Sequence, residues 1–173
     1  MSRGIIIFAQ NNEYINYAET ACASAGYARK NLSLFDEICL ITNAETLESN
    51  ETLINEYFDR VIVSSIFQPD NVRLFKDTTD KLEYAPFKNM GRSEVYELSP
   101  YAETLLIDSD YFIMNNVLDQ VWDSENDVMI NCKYRDVSER HKENIEYIDN
   151  FSIPMYWATV AYFRKSEFAE NLF

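Results

Sequence analysis

The stretch Thr104-Leu105-Leu106-Ile107-Asp108-Ser109-Asp110 decides the fold, because an aliphatic run is followed directly by two carboxylates. Such a run is typical of a strand buried on both faces of a sheet. In an open α/β sheet, ligands bind in the crevice beyond the carboxyl ends of the strands. Two hard oxygen ligands so close together favour Mg²⁺ or Mn²⁺, which a phosphate-bearing ligand can share. We therefore expect Asp108 and Asp110 to be metal ligands at this edge.

The composition indicates one globular domain. The chain has 173 residues, 47% of them hydrophobic, and its three glycines and four prolines leave little room for flexible linkers. We therefore expect residues 1–173 to form a single domain. The formal net charge of −14 disfavours binding to a phosphate backbone, so we expect no nucleic-acid partner. No apolar run is long enough to span a membrane.

The cysteines point to a reducing compartment. The chain has three of them, an odd number, in apparent core segments, and no secretory signal precedes them. We therefore expect free buried thiols and a cytoplasmic protein.

Strand and helix patterns alternate from the start of the chain. Residues 4–9, 37–43 and 58–64 read as buried strands, separated by helices from Glu13, capped by Asn12, to about Lys30 and from Ala44 to Tyr57. This alternation predicts an α/β fold with a mostly parallel sheet flanked by helices. Further strands are expected at 127–132 and 154–163, and Asn116 is expected to cap a short helix.

The segment between the third strand and the acids is the least regular. Residues 65–85 lose all periodicity and are predicted to form a long loop. Pro86 suits the first turn of a helix that runs to about Leu98. Lys88 and Arg92 then lie one turn apart on that helix and form a basic pair ahead of the acids.

The stretch from Arg92 to Asp110 resembles the GT-A-fold nucleotide-sugar-dependent glycosyltransferases, in particular the glycogenin-like ones. These carry a basic residue, an aromatic residue four positions on, a tyrosine before the buried strand, and then Asp-x-Asp. The matching residues here are Arg92, Tyr96, Tyr101 and Asp108-Ser109-Asp110. The resemblance extends from Gly4 to about Phe168. It implies a Rossmann-like GT-A sheet.

The resemblance also implies an activity: metal-dependent transfer of a hexosyl group from a nucleoside-diphosphate sugar, a UDP-sugar above all, to a hydroxyl. Asp110 and Arg92 would be catalytic, as metal ligand and as countercharge to the diphosphate. The implied donor-binding residues are Ala9, Gln10, Asn11, Tyr14, Lys88, Arg92, Asp108 and Ser109. The acceptor-side strand would bring Tyr156, Trp157 and Thr159, although Trp157-Ala158-Thr159 replaces the family's Asn-Ser-Gly.

The chain departs from the family at its end. The family completes its metal site with a histidine beyond the acceptor strand, whereas the one histidine here, His141, lies in a charged segment. We therefore expect a GT-A fold that is incomplete at its C-terminus, and an enzyme that is inactive if truncated. No general base is identifiable, so retaining and inverting transfer both stay open.

Other functions also fit these residues. A non-catalytic GT-A-like scaffold or binding module in a larger assembly is one, and a nucleotidyltransferase, which shares the sheet and the acids, is another. A phosphatase of the haloacid-dehalogenase type fits less well, because it carries Asp-x-Asp on its first strand and three strands precede the motif here.

Overall fold

The structure is a computed structural model that describes residues 1–65, 72–76, 82–86, 90–132 and 157–173. Its strands are β1 (Arg3–Phe8), β2 (Glu37–Thr42), β3 (Arg60–Val63), β4 (Val72–Lys76), β5 (Leu82–Pro86), β6 (Glu103–Asp108), β7 (Val128–Asn131) and β8 (Trp157–Arg164). Its α-helices are α1 (Tyr17–Asn31), α2 (Ala44–Tyr57), α3 (Val95–Leu98) and α4 (Glu167–Glu170), with 3-10 helices at Met90–Glu94 and Asn116–Asp123. Within these ranges no helix has the length and apolarity that a membrane crossing requires.

Six of the described strands form one sheet in the order β3-β2-β1-β6-β8-β7. The pairs β2–β3, β1–β2 and β1–β6 are parallel, and β8 runs antiparallel to both of its neighbours. This arrangement confirms the predicted mostly parallel α/β sheet. Because β2 and β3 extend to one side of β1 while β6 lies on the other, the strand order reverses between β1 and β6.

The strands β1, β2 and β6 are buried on both faces, as their continuous aliphatic runs predict. Alternate residues of β1 and β6 contribute to two separate cores, so Ile7 and Ile107 pack on one face and Ile6 and Leu106 on the other. Helices α1 and α2 cover the first face, and α3 covers the second with Val95. The acids at the end of β6 are therefore carried by a rigid strand in the centre of the molecule.

The first helix begins later than its sequence pattern indicates. We expected Asn12 to cap a helix from Glu13, but α1 begins at Tyr17 and its N-cap is Asn16, which accepts a hydrogen bond from the Glu19 amide. The Asn12 side chain instead accepts from the amides of Tyr14 and Ile15 and closes a turn. An asparagine can satisfy either role, and the sequence alone does not decide between them.

A similar shift occurs before the second 3-10 helix, where the cap is Asn115 and not Asn116.

The predicted loop 65–85 was also wrong in part, because it contains β4 and β5, which pair antiparallel with Val72 opposite Pro86. Pro86 therefore ends a strand and does not start a helix. Each strand has only five residues and is interrupted by charges, which hides its period of two.

Candidate functional site

The two carboxylates stand where β6 leaves the sheet. Asp108 is the last residue of the strand, and Ser109 and Asp110 occupy the centre of a turn closed by the Tyr111 amide donating to the Asp108 carbonyl at 3.1 Å. The Ser24 hydroxyl of α1 donates to the Tyr111 carbonyl at 2.7 Å and holds the exit of this turn. Both acids are thereby fixed at the carboxyl edge of the sheet.

The strand on the other side of this crevice is β1. Phe8 is paired with Asp108 in the parallel β1–β6 register, so Ala9 and Gln10 emerge beside Ser109 and Asp110. The strand order reverses at this pair, and in open α/β sheets such a reversal creates the ligand-binding crevice. The structure therefore brings predicted donor residues from β1 and the acid pair together at the switch point.

Arg92 is the basic group of the site. It lies in the 3-10 turn Met90–Glu94, and its guanidinium donates to the Asp108 carboxylate and to the Ala158 carbonyl, the latter at 2.7 Å. The Arg92 side chain is only 12% exposed, against 30% for Asp108. Arg92 therefore lies against the first acid and joins the end of β6 to the start of β8.

The surroundings of Arg92 shift the pKa of its guanidinium in two opposite directions. Burial lowers the pKa of the guanidinium to about 10, and the nearby Asp110 charge acts in the opposite direction. Arg92 consequently stays protonated at neutral pH. Asp110 itself is exposed, and no group in the described ranges donates a hydrogen bond to its carboxylate.

The loop after β1 is held by asparagine side chains. The backbone N–H of Asn11 donates to the Thr46 hydroxyl at 2.9 Å. The side-chain oxygen of Asn11 accepts from the backbone N–H of Ala18 at 2.9 Å. That oxygen is thus occupied in fixing the start of α1. The Tyr14 ring is 76% exposed at the tip of the loop. Donor contacts by Asn11 and Tyr14 stay predictions.

Gln10 and Thr159, which lie on the two strands beside the acids or just beyond them, each carry a polar atom with no partner among the described residues. The Gln10 Oε1 and the Thr159 hydroxyl are buried, and neither has a hydrogen-bond partner in the described part of the chain. Val160 pairs with Ile107 in the antiparallel β6–β8 register. Thr159 comes just before Val160 and therefore lies alongside Asp108. Buried polar atoms in native proteins are nearly always paired, so both groups are suited to meet a ligand or a water molecule.

The other predicted site residues are only partly described. Lys88 and Tyr156 lie outside the described residues, and Trp157 is described through its backbone alone, as the first residue of β8. Because β8 is antiparallel to β6, its first residues lie at the acid edge. The backbone of Trp157 is thus close to the acid edge, and an acceptor-side role for Trp157 stays a prediction.

Two other strands carry polar groups at this edge that the sequence did not single out as site residues. The Thr42 hydroxyl at the end of β2 is fully buried and without a partner in the described ranges. Asn131 ends β7, which is parallel to β6, and Cys132 follows it. Each is a polar residue that follows an apolar strand, which is the same signal that singled out Gln10. The strand order that places both on the same edge of the sheet is not readable from the sequence.

The two carboxylates of Asp108 and Asp110 fit one kind of cation as metal ligands. In the described ranges no three histidine, cysteine or acidic side chains cluster closely enough to hold a metal. Mg²⁺ and Mn²⁺ do not need such a cage, because they are commonly bound by one or two carboxylates together with waters and substrate phosphates. Asp108 and Asp110 therefore fit a cation that arrives with a phosphate ligand, and Asp110 is the less engaged of the two.

Comparisons of sequence and of structure gave different outcomes. No family model matches the chain, and no curated protein matches it in sequence. Solved structures do resemble it. Mouse xyloside xylosyltransferase 1 aligns over 99% of this chain and 72% of its own, with 10% identity and a TM-score of 0.57.

Two further structures share the fold. The galactosyltransferase LgtC, solved in complex with donor and acceptor sugar analogues, covers 93% of this chain with 15% identity and a TM-score of 0.53. The 4-diphosphocytidyl-2C-methyl-D-erythritol synthase of Anaerococcus prevotii covers 95% with 13% identity and a TM-score of 0.53. The chain spans 57% of LgtC and 71% of the synthase. The GT-A type of fold is thus confirmed.

Proposed function

We propose that the protein transfers a hexosyl group from a nucleoside-diphosphate sugar, in particular a UDP-sugar, to a hydroxyl acceptor in a metal-dependent reaction. The observation that carries the proposal is the acid pair at the β1–β6 switch point, with an arginine on one acid and, just after β1, a buried glutamine oxygen that has no partner among the described residues. The sharing of the fold with sugar transferases supports it.

Each residue has a role that follows from its position. Asp110, exposed and without a described hydrogen-bond donor, would be the principal ligand of Mn²⁺ or Mg²⁺, with Asp108 as a second ligand or a contact to donor hydroxyls. The bound cation would act as a Lewis acid that stabilises charge on the leaving diphosphate. Arg92 would orient Asp108 and add a second positive charge beside the phosphates. Gln10 would face the nucleoside from β1.

A second candidate is nucleotidyl transfer. The observation that favours it is the sharing of the fold with the diphosphocytidyl synthase, at a TM-score equal to that of LgtC. A non-catalytic binding module is the third candidate, favoured by the engagement of Asp108 with Arg92. The three candidates differ in whether a bound nucleotide is converted and in which of its bonds is broken.

Calorimetry with UDP, GDP and CDP, each with and without Mn²⁺, tests the site. We expect Mn²⁺-dependent binding of at least one nucleotide, with UDP the tightest, and its loss in the Asp110→Ala variant. Asp123→Ala is the matched control, because Asp123 is an exposed acid outside this site and should leave binding unchanged. Equal binding by the Asp110→Ala variant would overturn the assignment of the metal site.

Product analysis separates the candidate reactions. Incubation with UDP-glucose or UDP-galactose and Mn²⁺ should release UDP, by transfer or by slow hydrolysis. Pyrophosphate release from UTP with a sugar phosphate would instead establish nucleotidyl transfer. Binding without either product would establish the non-catalytic module.

A further inference from the structure

The turn that carries Asp110 is held through the peptide groups of Tyr111. The Tyr111 N–H donates to the Asp108 carbonyl at 3.1 Å inside the turn, and the Tyr111 carbonyl accepts from the Ser24 hydroxyl of α1 at 2.7 Å. The Asp110 side chain is exposed, and its carboxylate accepts no hydrogen bond from a group in the described ranges. The position of Asp110 therefore depends on the backbone of the turn and on what anchors that backbone.

Ser24 is fully buried and stands among small apolar residues on the buried side of α1. Those residues are Ala18, Ala21, Cys22, Ala25 and Ala28. An alanine at position 24 would fit the same space and favours a helix more than serine does, so neither packing nor helix formation accounts for the hydroxyl.

The hydroxyl of Ser24 does not make the bond that is usual inside a helix. Serine and threonine within helices often donate to the carbonyl four residues before them, as Thr20 does to Asn16 at 3.4 Å. Ser24 instead donates to Tyr111, which is 87 positions away in the sequence. What the hydroxyl adds is thus a link between α1 and the end of the turn.

This link belongs to a longer contact between α1 and the chain that leaves the acids. Residues three and four positions apart lie on one side of a helix, and here such residues contact three consecutive residues of the other segment. The contacts, in chain order, are Ser24 with Tyr111, Tyr27 with Phe112 and Asn31 with Ile113. Of these three, the Ser24 contact is the one made at the turn itself.

The same helix also holds the loop on the other side of the crevice. The Ala18 N–H donates to the Asn11 side-chain oxygen at 2.9 Å, and Asn11 lies in the loop after β1. Ala18 and Ser24 are about 9 Å apart along the helix axis. The helix thus sets the spacing between the loop after β1 and the turn of Asp110, and Ser24 is its contact on the acid side.

We propose that Ser24 is a positioning residue for the metal ligand Asp110. The inference rests on the proposed function, in which Asp110 binds the cation. Ser24 contacts neither metal nor nucleotide and acts through the Tyr111 carbonyl, which keeps the turn in one position before the ligand arrives. A site that is ordered in advance loses less binding free energy on ordering its groups. Replacing a residue that orients a metal ligand typically lowers metal affinity about 10–100-fold.

Ser24→Ala tests the proposal, with Asn31→Ala as the matched control. Both variants remove a hydrogen bond from α1 to a carbonyl of the same segment, but the bond of Asn31 ends at Ile113, beyond the turn. Calorimetry measures UDP binding by the full chain at a series of Mn²⁺ concentrations. We expect the half-saturating Mn²⁺ concentration to rise about tenfold in Ser24→Ala and to stay at the wild-type value in Asn31→Ala. A loss of stability alone would not move this concentration.

Amide exchange in the ligand-free protein tests the turn directly. The Tyr111 N–H is protected by its bond to the Asp108 carbonyl, and opening of the turn exposes it to exchange. We expect this N–H to exchange about tenfold faster in Ser24→Ala and at the wild-type rate in Asn31→Ala. The amides in the centre of β6 should keep their rates in both variants.

Two outcomes would overturn the proposal. One is a folded Ser24→Ala protein whose half-saturating Mn²⁺ concentration equals that of the wild type, whatever its rate of Tyr111 exchange. The other is an equal change in Ser24→Ala and Asn31→Ala, which would mean that α1 loosens as a whole. Absence of Mn²⁺-dependent UDP binding in the wild type would instead overturn the proposed use of a UDP-sugar, and Tyr111 exchange then decides alone whether Ser24 anchors the turn.

Discussion

The Arg92 guanidinium donates a hydrogen bond to the Asp108 carboxylate. The same guanidinium also donates to the Ala158 carbonyl, so one side chain joins the first acid of the pair to the antiparallel strand beside it. A planar group with several fixed donors can make both contacts at once, whereas an ammonium group cannot reproduce that geometry. The orientation of Asp108 therefore depends on the shape of Arg92 as well as on its charge.

Arg92→Lys is expected to weaken Mn²⁺-dependent nucleotide binding about tenfold, which corresponds to about 1.4 kcal/mol. The variant keeps the charge but loses one of the two contacts that position Asp108. Calorimetry measures the change. Arg60→Lys, an exposed arginine paired with Glu37 at 3.1 Å, is the matched control and should bind as the wild type does. Unchanged affinity in Arg92→Lys would show that only the charge matters.

Gly4→Ala is expected to destabilise the protein by about 3 kcal/mol, near the upper end of overpacking costs. A Cβ at Gly4 would overlap the Tyr101 ring, which is buried in the core. Urea unfolding measures the loss. Gly26→Ala in α1 is the control, because its Cβ would meet the movable Tyr57 ring at 3.3 Å and alanine favours the helix, so the change should stay within about 1 kcal/mol. Equal effects of the two substitutions would contradict the packing argument.

Glu103→Gln is expected to lower the free energy of unfolding by about 1–3 kcal/mol at neutral pH, because three donors lose a buried charged acceptor. Burial alone raises the pKa of Glu103, but the hydrogen bonds from Arg3, Tyr162 and Arg164 outweigh it and hold the pKa below its usual value. The unfolded state thus takes up this proton first. The contribution of ionised Glu103 to the free energy of unfolding is complete above the unfolded-state pKa of about 4.3. It is lost as the pH falls through the lower pKa of the folded state.

The difference in unfolding free energy between wild type and Glu103→Gln should accordingly shrink as the solution is acidified below about pH 4. Chemical denaturation at a series of pH values measures it. A difference that stays constant down to the acid limit would show that Glu103 is not held ionised by its partners.

The three cysteines are expected to react in two classes. Burial raises the pKa of the Cys22 thiol to about 11 and that of Cys39 to about 12, which leaves almost no thiolate at pH 8. Cys132 is exposed. A thiol reagent at pH 8 should modify one thiol per native chain quickly and the other two only after unfolding, and Cys132→Ser should remove the fast reaction. Rapid modification of two or more thiols in the native protein would contradict the burial of Cys22 and Cys39.

Tyr96→Phe is expected to lower the free energy of unfolding by about 0.5–1.5 kcal/mol. The Tyr96 hydroxyl donates to the Ser166 carbonyl at 3.1 Å and connects α3, the segment that follows Arg92, to the turn after β8. The phenyl ring keeps its tilted contact with Phe163, so the hydroxyl alone is tested. Thermal unfolding measures the loss, and Tyr27→Phe, at an exposed tyrosine, should cause none.

The amino-acid pattern was sufficient for the strands of the central sheet and for the acid pair. The aliphatic runs before Gln10, Asn43 and Asp108 predicted β1, β2 and β6 to within about two residues, and the alternation with helices predicted parallel pairing. These features depend on local hydrophobicity, which a reader of the sequence sees directly. The hairpin of β4 and β5 was missed because short, charged strands are stabilised by pairing across residues distant in sequence.

The sequence by itself determined that two carboxylates end a buried strand and that an arginine precedes them by sixteen positions, a spacing that carries no distance. The tertiary structure decided what lies beside them. Strand order placed β1 and β8 on either side of β6 and brought Gln10 and Thr159 to the acids, each with a polar atom that has no partner in the described part of the chain. It also placed Arg92 against Asp108. It also assembled Glu103, Arg3 and Arg164 at the far edge. Strand order and side-chain direction follow from burying both faces of the sheet at once, a condition that no single stretch of sequence contains.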